Sequence, residues 1–307
     1  MRTFARDVAI VASASFETPS ESARNEVEML LPVIHDALGK VGLTQQDIGF
    51  TVSGSSDYLQ GFPFAFVGAL DAVGAWPPIR ESHLEMDGAF ALAEAVAVLQ
   101  HSDIDTALVY AFSRPSRGEL DRTLAIQLDP YSVAPLWPDA RGLAGLQAQA
   151  MRDSGRYADV PDVPPTVVAD GATAVILAVG DRARELTKAP VWIRGIDHRI
   201  ESPAIGGRDL TVSVSTKTAA EAAGADNLDE AWLHALYPHQ ELVLRDALGL
   251  SGQKVDAKAG PMMVGGLERL AAAANSIGGS TKRAVAHATS GACLQQNLVA
   301  VLEGEAA

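Results

Sequence analysis

The run HLEMDGAFALAEAVAVL, from His83 to Leu99, constrains this chain more than any other. Ala89, Phe90, Leu92, Ala93, Val96, Ala97 and Leu99 leave almost no polar face, which predicts a helix buried on nearly all sides of a layered α/β protein. Asp87 and Gly88 open it. An Asp at a helix start accepts an otherwise unpaired backbone N–H, and a Gly there admits a second backbone. With His83, Glu85 and Asp87 ahead of the first turn, the positive end of the helix dipole points at an enclosed polar spot. Asp87 is either a plain cap or part of that spot.

Composition narrows the class. The chain has 307 residues, 48% of them hydrophobic and 20% charged, enough for one large core or two similar lobes. No stretch reaches the roughly 18 apolar residues that span a bilayer, and MRTFARDVAIVASAS lacks the features of a cleaved leader. A cytoplasmic protein that does not bind membranes is therefore expected. Cys293 is the one cysteine, so no internal disulfide forms, and no His/Cys spacing suits a structural metal, which leaves no metal expected. A net charge of -14 opposes nucleic-acid binding, because phosphates need clustered Lys and Arg.

Along the chain, Asp7–Ser15, Ile48–Ser53 and Thr106–Arg114 read as buried strands, the last of central character. Between them lie the helical run SARNEVEMLLPVIHDALGKVG, containing Pro32, a capping box at Thr44–Asp47, and the apolar helix GFPFAFVGALDAVGAW closed by Pro77 and Pro78. Residues 115–163 are less regular. The Pro- and aromatic-rich Asp129–Gly142 reads as an excursion covering a cleft or a subunit contact, ahead of the helical LAGLQAQAMRDSG. Strands follow at Ala169–Asp181 and Pro190–Ile200, and then the first pattern returns: AAEAAG, strand-like AWLHALYPH, helix ELVLRDALGL, Gly-rich GPMMVGG, helix LERLAAAANSI, and strands RAVAHATS and LVAVLEG. A buried helix running into TALVYAFS is matched by one, opened at Gly260 and Pro261, running into KRAVAHATS. Two βα halves with one core are expected, 1–187 with its covering region 115–163, and 188–307. Neither a P-loop nor a dinucleotide GxGxxG is present.

Three runs, ADGATAVILA, AWLHALYPHQELVLRDALGL and AHATSGACLQQNLVAVLEG, resemble the thiolase superfamily, and within it the bacterial lipid-transfer branch related to sterol-carrier-protein-like thiolases. The resemblance implies an α/β, five-layered αβαβα fold from two similar halves, with apolar strands such as TALVYAF at a dimer seam. It also implies acyl-CoA chemistry on lipid or steroid side chains, with coenzyme A in substrate or product, and assembly as a homodimer or with a thiolase-like or OB-fold partner. C–C cleavage would be of thiolase or retro-aldol type. The alternative is a non-catalytic scaffold whose paired homologue supplies the nucleophile.

The family's motifs are altered here. EMDG puts Glu85 where thiolases carry the nucleophilic Cys, and a carboxylate cannot replace a thiolate that must be acylated. His234 in HALY keeps a family His, with Ala235 as its neighbour and Tyr237 beyond; steroid aldolases of the branch carry a Tyr in place of that His. Gly260, in VDAKAGPMM, occupies the place of a second His. TSGAC matches the loop of the second Cys, whose position falls near Ala286, and this leaves Cys293 as a core residue. The resemblance thus implies Glu85 or His287 as base, and His234 with backbone amides near Gly291 holding a developing enolate. Ser290, Gly291, Gly260 and Tyr237 would contact substrate. His234 and His287 are alternatively read as satisfied structural histidines.

Overall fold

In the computed structural model, residues 4–18, 24–74, 79–101 and 103–305 are described. The first half runs β1 (Val8–Thr18), α1 (Glu26–Lys40), β2 (Phe50–Gly54), α2 (Ala65–Val73), β3 (Glu81–Leu84), α3 (Gly88–Val98), β4 (Thr106–Ser113), α4 (Leu120–Ile126), α5 (Ala140–Ser154), β5 (Asp170–Val179) and α6 (Gly180–Leu186). The second runs β6 (Val191–Ile200), α7 (Val214–Ala223), β7 (Glu230–His234), α8 (Pro238–Ala247), β8 (Lys254–Lys258), α9 (Gly265–Ser276), β9 (Arg283–Ser290) and β10 (Gln296–Gly304).

Strand order is β3-β2-β4-β5-β1-β6-β10-β9-β7-β8, symmetric about the β1–β6 contact. On either side the two outermost pairings are parallel and the inner ones antiparallel. The repeat read from helix-then-strand runs is therefore a structural one, α3–β4 answering α9–β9.

Side-chain alternation builds the layers. In β4, Ala107, Val109 and Ala111 point into a core shared with α3 and α9, while Leu108, Tyr110 and Phe112 point the other way, under α1 and α2. In β10, Leu298, Ala300 and Leu302 join the shared core, and Val299 and Val301 pack under α7 and α8. A strand buried on both faces has to read as an unbroken apolar run, and β4 and β5 do. The result is helices, sheet, α3 with α9, sheet, helices.

Several expectations are corrected. Ser82–Leu84, ahead of the helix start at Asp87 and Gly88, pair with β2 as an edge strand. TALVYAF is covered by this chain's own helices and hydrogen-bonded on both edges, so it is no seam; β3 and β8 are the edge strands. Gly260 and Pro261 belong to the turn before α9, which starts at Gly265. Pro32 lies inside α1, whose Asn25–Glu28 capping box fixes its start. Pro77 and Pro78 lie outside the described residues, and α2 ends on Gly74 at φ +63°. No described helix is long and apolar enough to cross a membrane.

Candidate functional site

The two central helices start side by side, and one side chain joins them. Asp87, 1% exposed, accepts on Oδ1 from the amides of Ala89 (2.9 Å) and Leu267 (3.0 Å), and on Oδ2 from Gly266 (2.9 Å). It thus caps α3, its own helix, and α9 of the other half. In return the Gly88 amide donates to the Met263 carbonyl at 3.0 Å. Glycine is needed here: a Cβ on Gly88 would sit 2.5 Å from the Ala111 Cβ, and one on Gly265 would sit 2.7 Å from His234 Nε2. Burial pushes the Asp87 carboxyl up to about 6, against the pull of its three N–H donors.

This junction forms the floor of a cavity of about 100 Å³. Leu124, Leu128, Leu143, Val167, Leu236, Met262 and Met263 supply its apolar wall; Asp87, His234, Tyr237, Gln240, Thr289 and Cys293 are among its polar lining groups. Leu124, Leu128, Pro138, Leu143 and Ala144, from the 115–163 stretch, form part of its lining.

His234 ends β7 with 2% exposure. Its Nδ1 accepts from the Thr289 amide at 3.4 Å, so the neutral ring carries its proton on Nε2. Nε2 has no hydrogen bond of full geometry, though the Ala259 carbonyl beside it favours the protonated ring. Burial pulls the ring down to about 4, with nearby Arg269 adding to the effect, so His234 is a neutral N–H donor at pH 7.

Of the residues singled out in the sequence, His234, Tyr237, Gly260, Ser290 and Gly291 all reach this cavity. Glu85 and His287 do not. Glu85 has a half-exposed side chain, accepts from the Asp57 amide at 3.0 Å, and stands 3.4 Å from His83 Nε2. His83 in turn bonds Ser53 Oγ at 2.8 Å and stacks on Phe66. His287 is fully buried beside the cavity. Asn297 donates through Nδ2 to Leu294 O and Ser215 Oγ, so its Oδ1 must accept the His287 Nε2 proton, at 2.9 Å. Burial pulls this ring down to about 3.

The loop match also shifts. Ala286 is a mid-strand residue of the shared core, and the segment that faces the cavity is Thr289–Cys293. Cys293 has φ +53° and donates its thiol to the Leu143 carbonyl at 3.3 Å; burial pushes it up to about 11, so it is a thiol and not a thiolate at pH 7. Gly260 has φ +66°, and a Cβ there would lie 2.8 Å from the Gly265 Cα, so no histidine fits this backbone. Thr289, Gln240 and the two methionines carry no local sequence signal. Asp87 did carry one, as a cap. Among the described residues no three His, Cys, Asp or Glu side chains converge as metal ligands.

No protein-family model and no curated protein sequence matches the chain. Solved structures do. Human mitochondrial 3-ketoacyl-CoA thiolase, crystallised in complex with CoA, superposes with a TM-score of 0.73 at 16% identity, over 99% of each chain. A second crystal structure of the same human enzyme gives 0.72 at 15% identity, over 99% of this chain and 100% of that one. The chain has the thiolase fold, which the resemblance of its three runs implied.

Proposed function

We propose that this thiolase-fold chain takes an acyl-CoA thioester into the Asp87–His234 cavity and cleaves a C–C bond of a lipid or steroid side chain there, in the manner of the sterol-carrier-like branch. The observation that carries this reading is His234 Nε2–H, a buried donor with no hydrogen bond of full geometry, on the wall of an apolar cavity where the two central helices start. A thioester carbonyl is the acceptor it lacks, and a donor fixed in a dry site is worth most where negative charge develops. The neighbouring human thiolase was crystallised with CoA, which supports the same ligand class.

Retro-aldol chemistry suits these residues better than thiolysis. It needs a base and an enolate-stabilising donor but no acylated thiol. A specific observation favours the second reading, a scaffold paired with a catalytic homologue: Cys293 is held as a hydrogen-bonded thiol, and Gly260 has no room for a side chain. In either reading we take 1–187 and 188–307 as the two halves, in the cytoplasm. Edge strand β3 and the exposed Tyr58, Phe62 and Phe64 of the preceding segment support assembly with a second copy or a thiolase-like or OB-fold protein.

The test is titration calorimetry of the purified chain with octanoyl-CoA, followed by turnover of steroid side-chain acyl-CoA by the complex co-expressed with its neighbours. Binding that weakens at least tenfold when Leu124→Trp fills the cavity, and turnover lost in His234→Ala, are expected. No binding rejects the reading; binding without turnover selects the scaffold.

A further inference from the structure

We propose that Asp87 is the catalytic base of this cavity, taking the proton α to a thioester carbonyl while His234 Nε2–H holds the carbonyl oxygen. The proposal rests on the acyl-CoA reading above and names a residue that the motif match passes over in favour of Glu85.

The geometry assigns the roles by elimination among the described lining groups. Carboxylates have four lone-pair sites, and Ala89, Leu267 and Gly266 occupy three on Asp87, leaving one on Oδ2. His234 cannot be the base, since its lone pair on Nδ1 faces the Thr289 amide. Cys293 keeps its proton, donated to Leu143, and Tyr237 bonds Thr166 at 2.8 Å and is raised further from neutrality by burial. Asp87 and His234 flank consecutive residues: Gly265 packs against the His234 ring and Gly266 against the Asp87 carboxylate. An acceptor and a donor set against consecutive residues of one cavity wall suit the Cα–H and the C=O of one thioester.

In the step itself the Cα–H bond breaks and its proton goes to Asp87 Oδ2. The electron pair moves into a Cα–C double bond and the carbonyl pair onto oxygen, where His234 Nε2–H meets the charge. Return of a solvent-exchanged proton restores the thioester, so no co-reactant is required. The same enolate is the product side of a retro-aldol cleavage.

Glu268 and Arg269 on α9 are ion-paired to each other, and His83 and Glu85 on and after β3 bond each other. His234, Tyr237 and Cys293 are the titratable groups that line the cavity with Asp87, and His83 and Glu85 lie outside it. None is a partner of its carboxylate.

The experiment is α-deuteration of propionyl-CoA by the full chain in D₂O, read by mass spectrometry, with binding measured in parallel. We expect wild type to exceed the buffer rate at least about a hundredfold, Asp87→Ser to lose that excess, and Glu85→Gln to stay within twofold. Serine keeps the α3 cap, and its fold is checked by circular dichroism. Should that variant unfold, the wild-type pH profile decides: the rate climbs through about pH 6 as the carboxyl ionises. A profile flat from pH 5 to 8, exchange retained in Asp87→Ser, or bound propionyl-CoA left unlabelled by wild type each overturns the role of Asp87 alone. Failure to bind propionyl-CoA at all overturns the acyl-CoA reading with it.

Discussion

Four buried titratable residues set how this protein responds to acid. His234 and His239 are pulled to about 4 and His287 to about 3 by burial, against an unfolded value near 6.5. Between those values the unfolded chain binds protons that the folded chain refuses, so stability rises with pH across this window and is lost as pH falls through it. Asp87 acts in the opposite sense. Its folded value of about 6 lies above its unfolded one near 3.8, so it contributes stability at low pH that fades as pH rises through the same window. Three histidines against one carboxyl leave about two net protons, or roughly 3 kcal/mol per pH unit at the steepest point. We expect the urea midpoint at pH 5 to fall clearly below that at pH 7.5. Replacing His287→Gln removes one of the three and should flatten the difference by between a third and a half. Equal midpoints at the two pH values would mean these rings are not held neutral.

At the scale of elements, close backbone approach decides what is tolerated. Gly195 lies in β6 where the C-terminal end of α7 comes down on the strand, and a Cβ there would sit within 3.0 Å of the carbonyl carbon and Cα of Ala223. Neither backbone can yield without shifting a whole element. Gly195→Ala should therefore cost about 3 kcal/mol or more, whereas Gly206→Ala, with open space around it, should change the urea midpoint little. The buried elements were legible in the sequence because their apolar period is uninterrupted, as in β4, β5 and α3. The edge strands β3 and β8, ESHL and KVDAK, escaped because short, half-exposed strands carry too few apolar positions to show a period. The site was legible in part for a related reason. His234, Tyr237, Gly260, Ser290 and Gly291 converge because they sit at the same ends of matching elements in the second half. Glu85 does not, because the turn between β3 and α3 faces one residue outward and another, Asp87, inward, a choice set by α9 from 180 residues away along the chain.

For the whole molecule the question is whether two repeated halves make one cooperative unit. Among the described residues their strands pair at two positions, Ala9 with Trp192 and Ile10 with Val191. Such a link is too small to couple them. The shared core is another matter: Phe90, Leu92 and Val96 of α3 and Leu267, Leu270 and Ala274 of α9 belong to one apolar cluster with strands from both halves. Asp87 of the first half also takes two amide hydrogen bonds from α9 of the second. Neither half can keep its central helix covered alone, and exposing that layer forfeits on the order of 25 cal/mol for every Å² of apolar surface uncovered. Unfolding in urea should then be one transition, with far-UV circular dichroism of the whole chain coincident with the fluorescence of Trp192 and Trp232, which reports on the second half once Trp76→Phe and Trp137→Phe remove the other two tryptophans. A fragment of residues 1–187 should fail to fold by the same argument. Two separated transitions, or a folded fragment, would show that the central layer divides into independent faces, and the junction at Asp87 would lose the rigidity that its chemistry needs.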